Sequence, residues 1–486
     1  LYNQQKSINP AFTFLVPAGY QSYVGRATYD YRGKYLAELN IAYNGTENFA
    51  PGNRFGVFPA YSVGWVASEE KFFPKTDFIN FFKIRASYGE VGNDQIGVDF
   101  LESNNRFLFR PTAFTQTGGS RFGEVASGYN VLPGFREGRA SNPDLTWERA
   151  LKSNLGVEMS FWNKKISMSV DLFRETRNNI LANRQTLSAI IGVAVPPENL
   201  GKMQNRGYEI DFTINHDIGA LNLQLKANYS FARNKILFQD EVPPVFPYQA
   251  RTGQRFGQIF GLKDLGLLNT WDEVNDPKRV PTQWDNNRLQ PGDISFEDVN
   301  GDGLINDFDQ VPIGFSNIPE KTYGISLVGQ YKGFSFSILF QGTGNVSLAY
   351  TRRFISGFFD NPAAGAVDYL LESWSQERYN AGLPIRFPRF SFGTGGQVLN
   401  NYQSSTFFLA DASYLRLKNV EIGYTFSGNI FKKIGLSSVR IFANANNLYT
   451  WSKVYPGVDP ESPPIAGNAE PYPLVRTINT GININF

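Results

Sequence analysis

Apolar and polar residues alternate along the last ten positions of the chain. Ile478, Thr480, Ile482, Ile484 and Phe486 share one parity, and polar or small residues occupy the other. Because neighbouring side chains of a strand point to opposite faces, this segment has one apolar face and one polar face. A strand on a protein core fits this pattern, and so does a barrel strand between lipid and a wet lumen. Its recurrence along the whole chain favours the barrel.

The same alternation predicts roughly thirteen strands, each close to the ~9–11 residues that cross a bilayer at a tilt. Residues 1–19 show little periodicity and are predicted to form a loop. Residues 92–150 are predicted to form a long loop with room for a hairpin. The predicted strands are 20–31, 35–43, 55–65, 82–88, 155–161, 166–172, 208–214, 221–231, 323–331, 334–340, 409–426, 439–449 and 474–486.

The parity also predicts which side chains meet lipid. We expect the apolar set to point outward and the polar set to point toward the lumen. The outward set includes Ile482, Ile484, Ile338, Phe340, Val157 and Met159, and the inward set includes Asn483, Asn485, Lys152 and Glu158.

Short and long connections between the predicted strands alternate. Short or moderate links fall at 32–34, 68–80, 162–165, 216–220, 332–333 and 427–436, and long ones at 45–53, 92–150, 174–206, 233–321, 345–408 and 450–473. Barrels of the bacterial outer membrane have short periplasmic turns and long extracellular loops. The alternation therefore predicts a transmembrane antiparallel β-barrel in the outer membrane.

Composition narrows the function classes. The chain has 42 Phe, 24 Tyr and 7 Trp, and no apolar run reaches the ~18 residues of a transmembrane helix. It has no cysteine and one histidine, which excludes disulfides and thiolate metal sites and nearly excludes histidine-based triads. The net charge of +2 gives no reason to expect a nucleic-acid partner.

Several short segments of the sequence carry a resemblance to one family. They are Gly25–Leu36, Arg54–Trp65, Lys83–Gly89 followed by Gly92–Asn93, Asn205–Glu209, Asp298–Gly303, Tyr414–Asn419 and Asp459–Glu461. These segments resemble the SusC/RagA-type TonB-dependent transporters of Bacteroidetes. The resemblance spans the whole chain in order, although a plugged barrel of this class has about 22 strands.

This resemblance implies that residues 1–486 are the C-terminal portion of the barrel. The plug domain, TonB box and first strands would then lie upstream. By the same resemblance, the protein imports oligosaccharides or peptides with energy passed through TonB and works with a SusD-like surface lipoprotein. It would be no enzyme. Two other functions remain open: an outer-membrane or secreted all-β enzyme acting on glycans, and a non-transporting adhesin.

One motif has the spacing of a calcium-binding loop. Oxygen ligands fall at positions 1, 3, 5, 9 and 12 of a twelve-residue pattern, and position 7 would offer its backbone carbonyl. The candidate ligands are Asp298, Asn300, Asp302, Leu304, Asn306 and Asp309, with Gly303 at the sharp bend. A metal-free turn, in which Asn and Asp bond their own backbone, fits the same residues. If the ion binds, it would pin a long connection that we expect to have no core of its own.

The remaining candidates are single residues. His216 lies in a short turn and is interpreted as an incidental surface residue. Aromatic residues of the long loops could stack on a ligand or pack the loops against each other, and packing is the expectation for each one. They are Trp271, Trp284, Phe354, Phe358, Phe359 and Trp374.

Overall fold

The computed structural model contains 22 β-strands among the residues it describes. These residues are 2–8, 15–74, 76–95, 107–112, 114–122, 130–277, 289–350, 368–390, 399–428, 435–455, 458–461 and 474–486.

The first eleven strands are β1 (Tyr2–Ile8), β2 (Leu15–Tyr31), β3 (Tyr35–Thr46), β4 (Phe55–Val66), β5 (Ile79–Asn93), β6 (Thr115–Phe122), β7 (Asn130–Arg136), β8 (Glu148–Phe161), β9 (Ile166–Ala182), β10 (Glu198–Ile218) and β11 (Leu221–Phe238). The others are β12 (Ile259–Gly261), β13 (Asp264–Leu267), β14 (Ile294–Phe296), β15 (Val311–Ile313), β16 (Lys321–Tyr331), β17 (Phe334–Gly344), β18 (Ser347–Ala349), β19 (Leu409–Asp411), β20 (Tyr414–Phe426), β21 (Ser438–Ser452) and β22 (Thr477–Asn485).

Among the described residues, helical structure is confined to short segments. The α-helices α1 (Trp271–Val274) and α2 (Gln376–Asn380) have four and five residues. Single 3₁₀ turns occur at Ala67–Glu69, Ala189–Ile191, Pro247–Gln249, Asp307–Asp309, Asp368–Glu372, Leu399–Tyr402 and Thr406–Phe408. Within the described part of the chain, none of the helices has the length and apolarity needed to cross a membrane.

The chain divides into two units. The first consists of residues 1–163, 169–208 and 233–243, and the second of residues 164–168, 209–232 and 244–486. In the first unit β1, β2, β3, β4, β5, β8 and β9 are hydrogen-bonded neighbours in that order, and β6 pairs with β7. In the second unit the order is β11, β16, β17, β20, β21 and β22, and β12 pairs with β15, β13 with β14, and β18 with β19.

The structure confirms the predicted fold class, antiparallel all-β with strand neighbours in chain order. The predicted loop at 1–19 is wrong, because β1 pairs with β2 from Tyr2↔Gln21 to Ile8↔Leu15. β1 has polar residues at both odd and even positions, so its sequence shows no amphipathic alternation. Strand pairing does not require such alternation, because the hydrogen bonds between strands join backbone groups. The hairpin anticipated within 92–150 is present as β6 and β7. The predicted strand 409–426 is interrupted between β19 and β20.

Strand register preserves the two faces that the alternation predicts. In the second unit Ile482 lies opposite Ile441, and Asn483 lies opposite Arg440. In the first unit Val157 pairs with Ile84, and Glu158 pairs with Lys83. Opposite residues of an antiparallel pair share a face, so apolar and polar residues segregate across neighbouring strands. The assignment of the apolar face to lipid stays a prediction.

The alternation of short and long connections holds in the structure from the β5–β8 connection onward, but before it the β3–β4 connection, 47–54, is shorter than the β4–β5 connection, 67–78. A two-residue turn joins β16 to β17, and both of its residues, Lys332 and Gly333, have positive φ of 45° and 92°. Such a turn matches the right-handed twist of the flanking strands. The long connection before β10 spans residues 183–197 rather than the predicted 174–206, because β9 and β10 extend further than their apolar alternation.

The long connections of each unit have cores of their own. In the first unit Phe49, Phe58, Leu108, Leu145 and Trp147 form a buried cluster. In the second unit a larger cluster joins residues from three connections, including Leu262, Phe296, Leu348, Phe387 and Phe408. Residues 233–321, expected to have no core of their own, therefore share one with the other connections. The reason is that their apolar side chains pack against those of connections distant in sequence.

Candidate functional site

Three connections of the second unit pack together as what we call the loop layer. It comprises the described residues of 244–320, 345–413 and 453–461, which lie between β11 and β16, β17 and β20, and β21 and β22. Tyr350 and Tyr455 stack at its centre with ring centroids 4.3 Å apart. The Tyr350 hydroxyl accepts a hydrogen bond from the Tyr455 backbone N–H at 2.9 Å. Burial raises the pKa of Tyr350 to about 12, so this phenol is neutral at physiological pH.

A buried arginine at the start of β20 attaches the last connection to the barrel strands. Arg416, 2% exposed, donates from Nη2 to Asp459 at 2.8 Å, from Nη1 to Glu461 at 2.6 Å and from Nε to Thr450 at 2.8 Å. Tyr414 donates from its hydroxyl to the other oxygen of Glu461. Each of the three guanidinium nitrogens, Nε, Nη1 and Nη2, therefore donates to an acceptor. These hydrogen bonds compensate for the cost of burying the charge of Arg416.

Asp459 also fixes the backbone around it. Its Oδ1 accepts the N–H of Glu461 at 2.9 Å, and its Oδ2 accepts the N–H of Leu474 at 3.2 Å. Burial acts to raise the pKa of Asp459, but these backbone bonds and the Arg416 guanidinium outweigh it. The net pKa lies below the ordinary value of an aspartate.

A second buried ion pair connects two of the loop segments. Asp293 is fully buried and accepts from Arg389 Nε at 2.8 Å, from the Asn401 amide at 2.8 Å and from the Gln290 backbone at 2.8 Å. Burial raises the pKa of Asp293 despite the neighbouring Arg389 charge. Asp293 thereby joins its own segment to Arg389 and Asn401, which lie 96 and 108 positions further along the chain.

A third ion pair anchors the loop layer at the strand ends. Glu320, just before β16, accepts from Arg255 Nε at 2.7 Å and from the Asn345 amide at 2.9 Å. The Arg255 guanidinium also lies 5.0 Å from the centre of the Phe315 ring. Together the three ion pairs make the loop layer a pre-organised surface.

Sequence reasoning assigned no role to these residues. Tyr414–Asn419 and Asp459–Glu461 were both among the segments that carry the family resemblance. Because they lie far apart in sequence, the contact between Arg416 and Asp459 could not be predicted. Asp293, Arg389 and Asn401 gave no signal at all, because single polar residues in loops are common.

The structure places the candidate calcium ligands in a tight, self-bonded turn. Asp298 accepts the N–H groups of Gly301 at 2.7 Å and Gly303 at 2.8 Å. Asp309 accepts those of Val299 and Asn306, both at 2.9 Å. The other side chains also accept hydrogen bonds from backbone N–H groups two residues further along. Asn300 accepts from Asp302, Asp302 accepts from Leu304, and Asn306 accepts from Phe308.

The donor types of this loop suit calcium, which prefers carboxylate and carbonyl oxygens. Across the described residues, however, no three Asp, Glu or His side chains converge as a metal-binding group. The arrangement present is a turn in which Asx side chains bond their own backbone. Calcium binding at this loop stays a prediction.

The other single-residue candidates fall in different environments. Trp271 is exposed at the start of α1, whereas the Trp374 indole donates to Asn269 at 3.1 Å and packs against Gly292. Trp374 thus packs the loops, as expected. His216 is exposed near the end of β10. The remaining loop aromatics, Trp284, Phe354, Phe358 and Phe359, lie outside the described residues.

These features define an antiparallel β-protein with an elaborated loop layer. A family model described as TonB dependent receptor-like, beta-barrel, matches residues 2–292. The chain belongs to this family. The membership confirms the class and the outer-membrane location predicted from the sequence.

Relatives with curated descriptions carry TonB-dependent receptor names. The TonB-dependent receptor P39 of Formosa agariphila is 26% identical over 99% of this chain and 48% of its own length. The TonB-dependent receptor SusC of Bacteroides thetaiotaomicron is 26% identical over 96% of this chain and 43% of its own. The chain spans about half the length of the curated relatives it matches.

Solved structures show the same fold. The RagAB peptide transporter superposes with a TM-score of 0.72 at 22% identity, covering 97% of this chain and 48% of that one. The closed-closed state of the RagAB peptide importer gives a TM-score of 0.73 with the same coverage.

Proposed function

We propose that the protein is an outer-membrane importer of oligosaccharides or peptides, energised through TonB. Its membership in the TonB-dependent receptor family carries this proposal. The chain supplies barrel strands and the loop layer, as the C-terminal portion of a longer transporter. A plug domain and the segment that contacts TonB belong to the rest of that protein. The chain makes and breaks no covalent bond.

The loop layer is the surface that meets cargo and a SusD-like lipoprotein partner. Its three buried ion pairs support this role, because loops that are already ordered lose less conformational entropy on binding. In this proposal the strands hold the lumen, and the loop layer presents fixed side chains above it.

Import is tested in the native host with the full-length gene. Cells carrying the gene, cells lacking it and cells lacking TonB are fed fluorescent oligosaccharides and fluorescent peptides. We expect uptake of one cargo class that requires both the gene and TonB. Surface binding that persists without TonB and never leads to uptake would indicate an adhesin. Turnover of a glycan by the purified receptor would indicate the glycan-active enzyme.

A structural calcium ion in loop 298–309 is a separate proposal. It rests on the ligand spacing and donor types of Asp298, Asn300, Asp302, Asn306 and Asp309, with the Leu304 carbonyl. The ion would stiffen a turn that the backbone hydrogen bonds already shape.

A further inference from the structure

Basic residues follow the apolar alternation of three neighbouring strands, β9, β10 and β11. On each strand the alternation stops short of the long connection, and the next residue of the same parity is an arginine. These arginines are Arg174, Arg206 and Arg233. Lys202 and Lys235 continue the same parity of β10 and β11 toward the long connections. We call these five residues the basic patch, and all of them belong to the first unit.

Side-chain contacts show that the basic patch occupies one face. With its amide oxygen turned toward β9, Gln204 accepts from Arg174 Nε at 2.9 Å and from Nη2 at 2.8 Å, which places even positions of β9 and β10 together. Ser230 of β11 donates to Glu209 of β10 at 3.3 Å. Since side chains alternate along a strand, even positions of β10 share the other face with odd positions of β11. That face also carries the apolar alternation of these strands.

The described residues leave the charge of the basic patch unbalanced. Lys202, Arg206 and Lys235 are exposed and form no ion pair with any residue that the structure describes. Arg174 is also exposed, and its hydrogen bonds to a neutral amide leave its charge in place.

Acidic residues of the same strands are engaged elsewhere. Glu198, at the same parity of β10, lies 3.7 Å from Arg184. Glu175 has the opposite parity of β9 and pairs with Lys152 at 3.3 Å and with Arg177. A counter-charge for the basic patch therefore has to come from outside these strands.

The position of the basic patch distinguishes it from an ordinary solvated surface. Tyr208 and Phe231 carry the last aromatic rings of the alternation before Arg206 and Arg233, and aromatic side chains concentrate at the membrane–water interfaces of barrels. Two residues of a strand, at ~3.3 Å each and a tilt near 45°, place each arginine about 5 Å beyond the ring. Lipid headgroups occupy this zone, because they extend roughly 5–7 Å beyond the hydrocarbon core on each side.

The connections next to the basic patch identify the leaflet. β9 leads into the connection 183–197, and β11 leads into the connection 239–258. Long connections of outer-membrane barrels are extracellular. The leaflet on that side is the outer one, whose lipopolysaccharide carries phosphate groups on its sugar head.

We propose that the basic patch binds the phosphate groups of lipopolysaccharide in the outer leaflet. Clusters of Lys and Arg beside the apolar part of a membrane protein attract anionic headgroups, and guanidinium groups bind phosphate through paired hydrogen bonds. Long basic side chains reach the headgroups while their stems stay on apolar surface. The site is separate from the lumen and the loop layer. It rests on the assignment of the apolar face to lipid and goes beyond the import function.

Native mass spectrometry of the full-length receptor in detergent tests the proposal. The probes are lipid A, the phosphorylated lipid portion of lipopolysaccharide, in its bisphosphorylated, monophosphorylated and dephosphorylated forms. We expect affinity to fall with each phosphate removed. One basic residue near a charged membrane surface contributes about fivefold in affinity. The triple variant Lys202→Gln, Arg206→Gln, Lys235→Gln should therefore bind bisphosphorylated lipid A about a hundredfold more weakly.

Lys226→Gln is the matched control. Lys226 is an exposed lysine of β11 that lies opposite Ser326 of β16, and it has the opposite parity to Lys235. Because its side chain lies on the polar face, loss of its charge should leave lipid A binding unchanged. The double variant Lys202→Arg, Lys235→Arg keeps the charge and should bind like the wild type. Electrophoresis without boiling, in which folded and unfolded barrels migrate differently, checks the folding of each variant.

Three results overturn the inference. The first is equal lipid A binding by the triple variant and the wild type. The second is a greater loss in Lys226→Gln than in the triple variant, which would put the lipid on the polar face. The third is complete displacement of lipid A by millimolar inorganic phosphate, which would indicate a site for a free anion.

This inference and the import function fail separately. TonB-dependent uptake by a receptor that does not bind lipid A would leave import standing and refute the lipid site. Lipid A binding that the triple variant loses, in a receptor that mediates no uptake, would leave the lipid site standing and refute import.

Discussion

Arg416 Nη2 donates to Asp459 Oδ1 at 2.8 Å, with both side chains almost completely buried. This pair joins β20 to a connection 43 residues further along. Removing one partner of a buried pair leaves an uncompensated charge, which costs about 3–5 kcal/mol. We therefore expect Arg416→Met to loosen the segment around Asp459. Hydrogen exchange of the backbone amides of Glu461 and Leu474 measures this directly.

Arg26→Met provides the control for that experiment. Arg26 pairs with Glu38 at 2.9 Å, but its side chain is largely exposed. Exposed pairs contribute about 0–1 kcal/mol, so this variant should exchange like the wild type. Equal protection of Glu461 and Leu474 in Arg416→Met and wild type would contradict a structural role for the Arg416 pair.

Asp459 also predicts a pH dependence. Its pKa in the folded protein lies below the ordinary value, so its contribution to stability is complete above the unfolded pKa of about 3.9. That contribution is lost as pH falls through the lower, folded value. We expect Asp459→Asn to lower the melting temperature of the full-length protein at pH 7 and to approach wild type below pH ~4. A difference in melting temperature between Asp459→Asn and the wild type that stays constant down to strong acid would refute this linkage.

Gly156 of β8 predicts a steric effect on the polar face of the first unit. A Cβ at Gly156 would lie 2.7 Å from Arg85 Cζ and 2.8 Å from Asp171 Oδ1. Arg85 cannot easily move, because it donates to Asp171 at 2.7 Å and to Glu158 at 2.8 Å. Gly156→Ala should destabilise the protein by about 1–3 kcal/mol, measured by urea unfolding in lipid vesicles.

Gly25→Ala in β2 is the matched substitution, because a Cβ there meets no atom within 4 Å. It should leave the unfolding midpoint unchanged or raise it slightly. If both glycine variants behave alike, crowding at Arg85 does not explain the effect of Gly156→Ala.

The lipid-facing assignment is tested in β22. An Arg in place of Ile482 should cost about 2–4 kcal/mol if this side chain meets the bilayer interior. The structure changes the choice of comparison site, because Asn483 lies opposite Arg440 and a second Arg there would add like-charge repulsion. Asn479 lies opposite the neutral Asn444 and is the better polar-face control. Similar folding defects in Ile482→Arg and Asn479→Arg would refute the assignment.

Calcium binding is tested by thermal unfolding of the full-length receptor with calcium or chelator. A ligand at ten times its Kd stabilises the native state by about 1.4 kcal/mol, so calcium should raise the melting temperature. Asp302→Asn should remove that increment. Asp307→Asn changes an exposed acid of the same turn outside the ligand spacing, and it should keep the increment. Identical melting curves with calcium and chelator would leave the loop a metal-free turn.

The sequence predicted the positions of most long strands and both faces of the sheet, because these follow from local alternation and turn residues. Val157 and Glu158 fall on the predicted opposite faces without any tertiary information. The loop layer was not predictable in the same way. Asp293 and Arg389 meet across 96 positions, and no periodic signal marks them.

β10 shows what the alternating pattern measures. This strand has 21 residues, Glu198–Ile218, but its apolar alternation covers only 208–214. At ~3.3 Å per residue and a tilt near 45°, it rises about 50 Å, whereas the apolar band of such barrels is about 25 Å tall. The alternating pattern in β10 therefore marks a segment short enough to lie within the apolar band, and it does not report the length of the strand. The lipid-facing prediction thus implies that roughly half of β10 stands in water, where a polar substitution on either face escapes the penalty that lipid imposes.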